Sequence, residues 1–213
     1  MQLKQAALAL QHLLDMGFSP ENIQLGGDSA GGNLILQLVS HILHPLDGVP
    51  AVKLSAPLRG ACLISPWVLL DEFHKYPSTK NEHDVIKGRV GSYWGKVVLE
   101  GILEKHTPYI QALKAPDTWF QGIHEIVDRL LITTGDIELL RDMIIEFKPI
   151  IEAHHQNVRF IMQENGVHDG PFFDFVGLCP DFSKTTRGIL EWYASGYDQQ
   201  LRNREGSVPI DSL

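Results

Sequence analysis

A glycine-rich run between a predicted strand and a predicted helix constrains this chain more than any other feature. Residues 26–34 read Gly-Gly-Asp-Ser-Ala-Gly-Gly-Asn-Leu and contain Gly-x-Ser-x-Gly with Ser29 at its centre. An apolar stretch, 23–27, precedes the serine, and a helical pattern over 30–43 follows it. That context is typical of a nucleophile elbow, a tight turn that projects a serine hydroxyl above the edge of a sheet.

The tight turn predicts the roles of the residues around Ser29. We expect Gly27 and Gly31 to be required, because a side chain at either position would collide within the turn. The serine itself is expected in a strained backbone conformation. The helix that follows supplies its positive dipole end and the N–H of Ala30 as an oxyanion-hole donor. The alternative is a plain turn that cradles a phosphate, but the run lacks the lysine of a P-loop and the spacing of a dinucleotide fingerprint.

Strands and helices alternate along the chain, which predicts an α/β fold with a mostly parallel sheet and helices on both faces. Apolar runs indicate four strands, Ile23–Gly27, Gly60–Val68, Arg129–Thr134 and Val158–Gln163. Helical periodicity indicates an opening helix that ends near Gly17, a helix over Ala30–Leu43, an apolar stripe from Leu140 to Ile151 and a last helix over Lys184–Leu201.

Residues 70–118 do not follow this alternation. They mix charged residues, glycine and aromatic residues with only weak helical periodicity. We therefore expect a cap-like insertion packed over one end of the sheet. No repeat or linker divides the chain, so residues 1–213 are expected to form one domain that contains this insertion.

Composition excludes several classes of function. Hydrophobic residues make up 44% of the chain, enough for a sizeable core, and the net charge is −8 without a basic run. A nucleic-acid partner is therefore not expected, because phosphate binding needs a basic footprint. No stretch approaches 18 uncharged apolar residues, so no membrane span is predicted. Only Cys62 and Cys179 are present, which favours a reducing compartment, and we expect a cytoplasmic protein.

The stretch GDSAGGNL resembles the elbow of the hormone-sensitive-lipase-like esterases of the α/β-hydrolase superfamily. The likeness extends through the following helix, the LISPW strand and the cap-like residues to the end of the chain. Fungal esterases of this group, including several from secondary-metabolite pathways, look similar over that span. The resemblance implies that this chain corresponds to the C-terminal part of an α/β-hydrolase.

A serine nucleophile needs a base, and the base needs an orienting carboxylate. In α/β-hydrolases the chain order is serine, then acid, then histidine. Relatives carry the acid three positions before the arginine of an x-Leu-Arg-Asp run, and this resemblance assigns Glu138. Asp136, on the same turn after the third predicted strand, is the alternative acid. Asp142 is read as an ordinary surface acid.

The base is expected on the loop after the fourth strand, where His168 lies between Gly166 and Gly170. The family places its histidine in this loop. Among the nine other histidines, His41 and His44 share a helix face, but no third ligand of suitable spacing accompanies them, so no metal site is predicted. His154 and His155 are expected at the end of a helix, where a positive charge favours the dipole. The other five have no positional claim: His12, His74, His83, His106 and His124.

The chain departs from the family in one respect. Relatives carry a His-Gly-Gly-Gly motif, on a stretch before the opening helix, whose N–H groups complete the oxyanion hole, and residues 1–28 contain nothing like it. The strand at 23–27 would then lack a neighbour, and its exposed edge would invite an oligomer or a complementing chain. We keep three interpretations open: a fragment, a degenerate product, or a half that needs a partner.

The resemblance implies a carboxylic-ester hydrolase that uses Ser29, His168 and Glu138 through an acyl-enzyme, with no cofactor and no metal. Short acyl esters, such as acetates, of a hydrophobic small molecule are the expected substrates, and a role in fungal secondary metabolism follows from the resemblance alone. Two alternatives stay open. One is a weakly active or inactive pseudoenzyme that binds a ligand, and the other is an acyltransferase, since elbow chemistry serves both hydrolysis and transfer.

Overall fold

A computed structural model, which describes residues 2–80, 82–178 and 181–205, has a four-stranded parallel sheet at its centre. The strands follow chain order across the sheet: β1 (Gln24–Asp28), β2 (Gly60–Ile64), β3 (Leu130–Gly135) and β4 (Val158–Gln163). Each strand pairs in parallel with the next one. The carboxyl ends of all four strands therefore lie along one edge of the sheet, where α/β proteins build their sites.

Helices precede, connect and follow the four strands. Their bounds are α1 (Gln2–Asp15), α2 (Ser29–Leu43), α3 (Gly88–Leu99), α4 (Thr107–Ile110), α5 (Ile123–Ile126), α6 (Arg141–Glu152), α7 (Gly170–Val176) and α8 (Lys184–Glu205). Short 3-10 turns lie at Pro20–Asn22, Phe73–Lys75, Pro77–Lys80, Glu104–His106 and Ala112–Lys114.

Two hydrophobic clusters cover the two faces of the sheet. The larger one joins α1, α2 and α6 to alternate strand residues such as Leu63 and Ile132. The smaller one joins Trp192 of α8 to the intervening residues Cys62 and Leu131. Because successive strand residues point to opposite faces, this division puts α2 and α6 on one face and α8 on the other. The predicted α/β fold with helices on both faces is confirmed.

The segment 70–118 folds into short helices that pack around the body of the domain. Asn33 of α2 joins the two, because its amide donates to the carbonyl of Ile110 at 2.7 Å and to that of Trp67 at 2.6 Å. The N–H of Leu113 adds a second link, because it donates to the carbonyl of Val68 at 3.1 Å. These bonds hold the segment against α2 and the chain that leaves β2.

The second strand ends earlier than its apolar run predicted. Gly60–Val68 was expected, but β2 stops at Ile64, because Ser65 has φ +44 and proline follows it. Residues 66–70 stay buried, so their apolar character reflects the core and not extended pairing. Most of the other predicted bounds differ from the observed ones by one or two residues. α8, which continues past Leu201 to Glu205, is the exception.

Cys62 is buried on β2, and burial raises the pKa of its thiol to about 11 against an opposing contact with Tyr193. Cys179 lies outside the described residues. Among the helices of the described residues, none combines the length and the apolar character that crossing a membrane would require.

Candidate active site

Ser29 stands at the turn between β1 and α2. Asp28 has extended backbone, with φ −103 and ψ 148, whereas Ser29 starts the helix with φ +49. A positive φ in a residue with a side chain costs on the order of 1–3 kcal/mol. The carbonyl of Ser29 accepts the N–H of Trp67 at 3.0 Å, which ties the turn to the chain after β2. The surrounding structure thus holds Ser29 in a strained backbone conformation.

The space around the turn requires a glycine at position 27 of the motif but not at position 31. A Cβ atom on Gly27 would lie 2.5 Å from the carbonyl carbon of Gly31, so no side chain fits there. A Cβ on Gly31 would meet nothing closer than Oδ1 of Asp28 at 3.7 Å, an ordinary contact. The expectation that Gly31 must lack a side chain is therefore wrong. The second crowded position is Gly32, where a Cβ would lie 2.9 Å from Cβ of Pro66.

His168 follows β4 and reaches the serine. Its Nε2 lies 2.9 Å from Oγ of Ser29, and the histidine is only 3% exposed. The backbone N–H of His168 donates to Oδ1 of Asp84 at 2.8 Å. At hydrogen-bond distance an imidazole can accept the hydroxyl proton, so this pair has the geometry that general-base catalysis requires.

Glu138 lies behind the imidazole and is completely buried. Its Oε1 is 3.6 Å from Nδ1 of His168, an ion-pair distance somewhat longer than a hydrogen bond. Its Oε2 accepts the N–H of Gly135 and the hydroxyl of Ser65, each at 2.7 Å. Hydrogen bonds of this kind are often long in ligand-free enzymes and tighten when substrate binds. The carboxylate is therefore placed to orient the imidazole.

Two other carboxylates near the site differ in their relation to His168. Oδ2 of Asp169 lies 3.2 Å from Nε2, so the acid shares this nitrogen with Ser29. Among the described residues, Glu138 and Asp169 are the carboxylates within 4.0 Å of the ring nitrogens, and Asp136 is not one of them. The structure therefore brings Glu138, and not the alternative acid, to the imidazole.

Burial and charge act on the two titrating groups in opposite ways. Burial raises the pKa of Glu138, and its contacts with His168, Gly135 and Ser65 oppose that shift. Burial lowers the pKa of His168, but the carboxylates of Asp169 and Glu138 outweigh it and raise the pKa to about 10. The imidazole is thus held strongly toward its protonated form by two acids at once.

Ala30, the expected oxyanion donor, is the second residue of α2. The first N–H groups of a helix have no acceptor within the helix and carry the positive end of its dipole. The N–H of Ala30 therefore has no acceptor within α2. The strand that leads to Ser29, β1, pairs with β2 alone among the described strands, so it forms an edge of the sheet.

Three residues of the site were not among those expected from the sequence. Ser65 bonds Glu138, Asp169 contacts His168, and Asp84 accepts N–H groups from two loops. Two of them could have been found from their positions in the sequence: Ser65, in the Ser-Pro pair after β2, and Asp169, next to the expected base. Asp84 had no local pattern, because its partners lie 55 and 84 residues away in the chain.

A cavity of about 420 Å³ opens beside His168. Its apolar walls come from Val85 and Ile86 on one side and from Phe172 and Phe173 on the other. The carboxylates of Asp28 and Asp169 also line it. The space next to the serine–histidine pair is therefore small and largely apolar, and its described lining contains no lysine or arginine.

The paired histidines of α2 are bound to backbone groups. Nε2 of His41 contacts the carbonyl of Pro50 at 2.9 Å, and its Nδ1 accepts the N–H of Leu46 at 3.0 Å. Nε2 of His44 contacts the carbonyl of Trp119 at 2.8 Å. Within the described part of the chain, no group of three or more metal-binding side chains comes together.

Comparison with known proteins gives a family match and a set of similar structures. A family model described as the alpha/beta hydrolase fold matches residues 1–171. A search of curated protein sequences finds no match.

Three solved structures illustrate the likeness. An esterase/lipase from an uncultured bacterium is 24% identical, with a TM-score of 0.70 over 92% of this chain and 60% of that one. A hormone-sensitive lipase from a metagenome library is 21% identical, with a TM-score of 0.68 over 91% and 61%. The esterase EstE5, in a crystal soaked with p-nitrophenyl butyrate, is 26% identical, with a TM-score of 0.63 over 84% and 54%. This chain therefore spans about 60% or less of the length of these structures.

Proposed function

Because this chain belongs to the α/β-hydrolase fold family, we propose that it hydrolyses carboxylic esters through an acyl-enzyme on Ser29. The observation that carries the proposal is the 2.9 Å contact between Oγ of Ser29 and Nε2 of a buried His168, on a serine with φ +49. A strained serine at a strand-to-helix turn, in contact with a histidine, is the arrangement that activates a hydroxyl for acyl transfer.

In the proposed reaction, Oγ of Ser29 attacks the ester carbonyl carbon while Nε2 of His168 takes the hydroxyl proton. Negative charge develops on the carbonyl oxygen, and the N–H of Ala30 donates to it. The tetrahedral intermediate then breaks its bond to the alcohol oxygen, which receives the proton from His168. Water repeats the sequence on the acyl-enzyme and releases the acid. Glu138 orients the imidazole and stabilises its charged form throughout.

Short acyl esters of a hydrophobic alcohol are the substrates we propose. The cavity beside His168 has a volume of about 420 Å³ and apolar walls, which suits a small uncharged group. Asp28 and Asp169 in the same lining disfavour an anionic substrate. The segment 70–118 supplies Val85 and Ile86 to this wall, so we assign it the role of a cap over the site. A place in fungal secondary metabolism rests only on the resemblance of the sequence to such esterases.

The efficiency of the reaction depends on the oxyanion hole. Ala30 is the one donor that we assign, and losing an oxyanion donor costs about 10²–10³ in kcat. A second candidate is a ligand-binding module that keeps the serine and the histidine but turns over slowly. The raised pKa of His168 favours it, because a protonated imidazole does not act as a base.

A fluorophosphonate probe tests the proposal without requiring turnover, because it needs only an activated serine. We expect stoichiometric labelling of Ser29, identified by peptide mass spectrometry, and no labelling of Ser29→Ala. The matched control is Ser92→Ala, since Ser92 is exposed and its hydroxyl donates to the carbonyl of Gly88 within α3. Binding of a hydrophobic ester without any labelling of the wild-type chain would contradict the esterase and favour the module.

Product analysis separates hydrolysis from acyl transfer. The chain is incubated with p-nitrophenyl acetate in the presence of a competing alcohol, and the products are separated by chromatography. Free acetate as the main product supports hydrolysis. Accumulation of the new ester would show that the acyl group passes to the alcohol instead of to water.

A further inference from the structure

A buried carboxylate outside the motifs joins the two loops that carry Glu138 and His168. Asp84 lies between the 3-10 turn Pro77–Lys80 and α3, and it is 3% exposed. Its Oδ2 accepts the N–H of Leu139 at 2.6 Å, and its Oδ1 accepts the N–H of His168 at 2.8 Å. One side chain therefore holds a backbone group on each loop.

The two bonds fall next to the reacting groups. Leu139 directly follows Glu138 in the chain, and the second donor is the N–H of His168 itself. A buried carboxylate is costly unless donors satisfy it, and hydrogen bonds to a charged acceptor are about twice as strong as neutral ones. Asp84 therefore favours the one arrangement of the two loops in which both N–H groups point at it.

The separation between the acid and the imidazole is sensitive to that arrangement. Nδ1 of His168 lies 3.6 Å from Oε1 of Glu138, just beyond hydrogen-bond length. A displacement of about 1 Å in a reacting constellation costs on the order of 10²-fold in rate. A link that joins the backbone of both loops acts directly on this distance.

We propose that Asp84 is a positioning residue that sets the distance between Glu138 and His168, so that the segment 70–118 controls the assembly of the reaction centre. Asp84 touches neither the serine nor the cavity, and acts through the backbone of its two partners. The next two residues, Val85 and Ile86, line the cavity beside His168. Residues 84–86 therefore form part of the cavity wall and also hold the two loops in position. The inference rests on the function proposed above for Ser29.

The variant Asp84→Asn tests this role with little change of shape. The amide keeps one oxygen, which can accept from only one loop, and it turns a donor toward the N–H of the other. Asp84→Glu keeps the charge and both acceptor oxygens on a longer arm. The matched control is Asp142→Asn. Asp142 also joins the segment 70–118 to the body of the domain, because it accepts the N–H of Ser78 at 2.8 Å, but this bond involves neither Glu138 nor His168.

The rate of fluorophosphonate labelling at Ser29 is measured at several probe concentrations, which separates the maximal rate from the apparent affinity. We expect Asp84→Asn to lower the maximal rate by about 10- to 100-fold with little change in affinity. Asp84→Glu should recover part of the loss, and Asp142→Asn should label like the wild type. A thermal unfolding curve confirms that each variant is folded. Equal maximal rates for the wild type and a folded Asp84→Asn would overturn the proposal.

A second measurement keeps the test independent of catalysis. In the wild type, Nδ1 of His168 lies 3.6 Å from Oε1 of Glu138, and the chemical shift of the Nδ1 proton depends on that distance. Asp84→Asn should shift or lose this resonance, and the Leu139 and His168 amides should exchange faster, whereas Asp142→Asn should change neither. If the wild-type chain is not labelled at all, the esterase proposal fails, and this measurement alone then decides the role of Asp84. Unchanged resonance and exchange would overturn it.

Discussion

The hydroxyl of Ser65 donates to Oε2 of Glu138 at 2.7 Å, and its oxygen accepts the N–H of Asp169 at 3.3 Å. Ser65 has φ +44 directly after β2, on the strand between those that lead to Ser29 and to Glu138. The strained turn therefore aims one hydroxyl at both the acid and the residue next to the base. The site is built from the ends of all four strands, and each end contributes a polar contact.

Replacing Ser65 by alanine should weaken the site and the fold together. The change removes a donor from a buried carboxylate and an acceptor from the N–H of Asp169, and unmet buried groups cost about 1–3 kcal/mol. We expect Ser65→Ala to lower the free energy of unfolding in urea by about that amount and to slow labelling of Ser29. The exposed Ser92→Ala should leave both unchanged. A Ser65→Ala chain as stable and as reactive as the wild type would show that this bond contributes nothing.

The choice of acid is tested by a pair of amide variants. Glu138→Gln keeps the shape but removes the charge behind the imidazole, and losing the orienting acid of a triad costs about 10⁴-fold. We expect labelling of Ser29 to fall by about 10³–10⁴-fold for this variant. Asp136→Asn should label at the wild-type rate, because Asp136 lies beyond ion-pair distance of His168. A reversed result would assign the role to Asp136.

The fold was predictable from apolar runs because a buried parallel sheet excludes polar residues from its strands. β2 and β3 show this, since nearly all of their residues are buried and both strands begin within one residue of their predicted starts, Gly60 and Arg129. The same argument failed for residues 66–68, which the apolar run assigned to the second strand. These residues are buried but lie outside the paired strand, and their sequence cannot be told from that of a buried strand. An apolar run predicts burial, whereas β2 ends at Ile64 because Ser65 has a positive φ and Pro66 follows it.

The site was predictable where chemistry has a local motif and unpredictable where it depends on distant contacts. Ser29 and His168 stand in Gly-rich turns of fixed order in the chain, and their side chains meet at 2.9 Å. Asp84 meets the same site from an irregular segment, through backbone groups that no pattern in its own neighbourhood marks. Such a residue is found only when the tertiary structure shows which N–H groups need an acceptor.

The pH dependence of labelling should show how Asp169 affects the protonation of His168. His168 acts as a base only in its neutral form, and its pKa is raised to about 10, chiefly by Asp169 and Glu138 against the opposing effect of burial. Labelling of the wild type should therefore rise with pH, with its midpoint near pH 10. Asp169→Asn removes one of the two acids, so its curve should rise at lower pH and exceed the wild type at neutral pH. Identical curves would mean that Asp169 does not act on the imidazole.

The same shift predicts how stability depends on pH. A folded-state pKa above the unfolded value means that the folded chain binds the proton more tightly than the unfolded chain does. This contribution is complete below the unfolded pKa of about 6.5 and is lost as the pH rises toward 10. Urea midpoints of the wild type should fall over this window, and those of Asp169→Asn should fall less. A wild-type midpoint that rises between pH 7 and 10 would contradict the direction of the shift.

The two glycines of the elbow should respond to alanine in opposite directions. At Gly27 a Cβ would lie 2.5 Å from the carbonyl carbon of Gly31, which is backbone and cannot move aside without unwinding the start of α2. We expect Gly27→Ala to lower the free energy of unfolding by about 3 kcal/mol, at the upper end of overpacking costs. At Gly31 the added Cβ meets only an ordinary 3.7 Å contact inside a helix. Gly31→Ala should therefore raise stability by about 0.5–1 kcal/mol, because alanine loses less backbone entropy there. Urea unfolding of the two variants side by side measures both effects, and equal losses would mean that the motif needs both glycines for space.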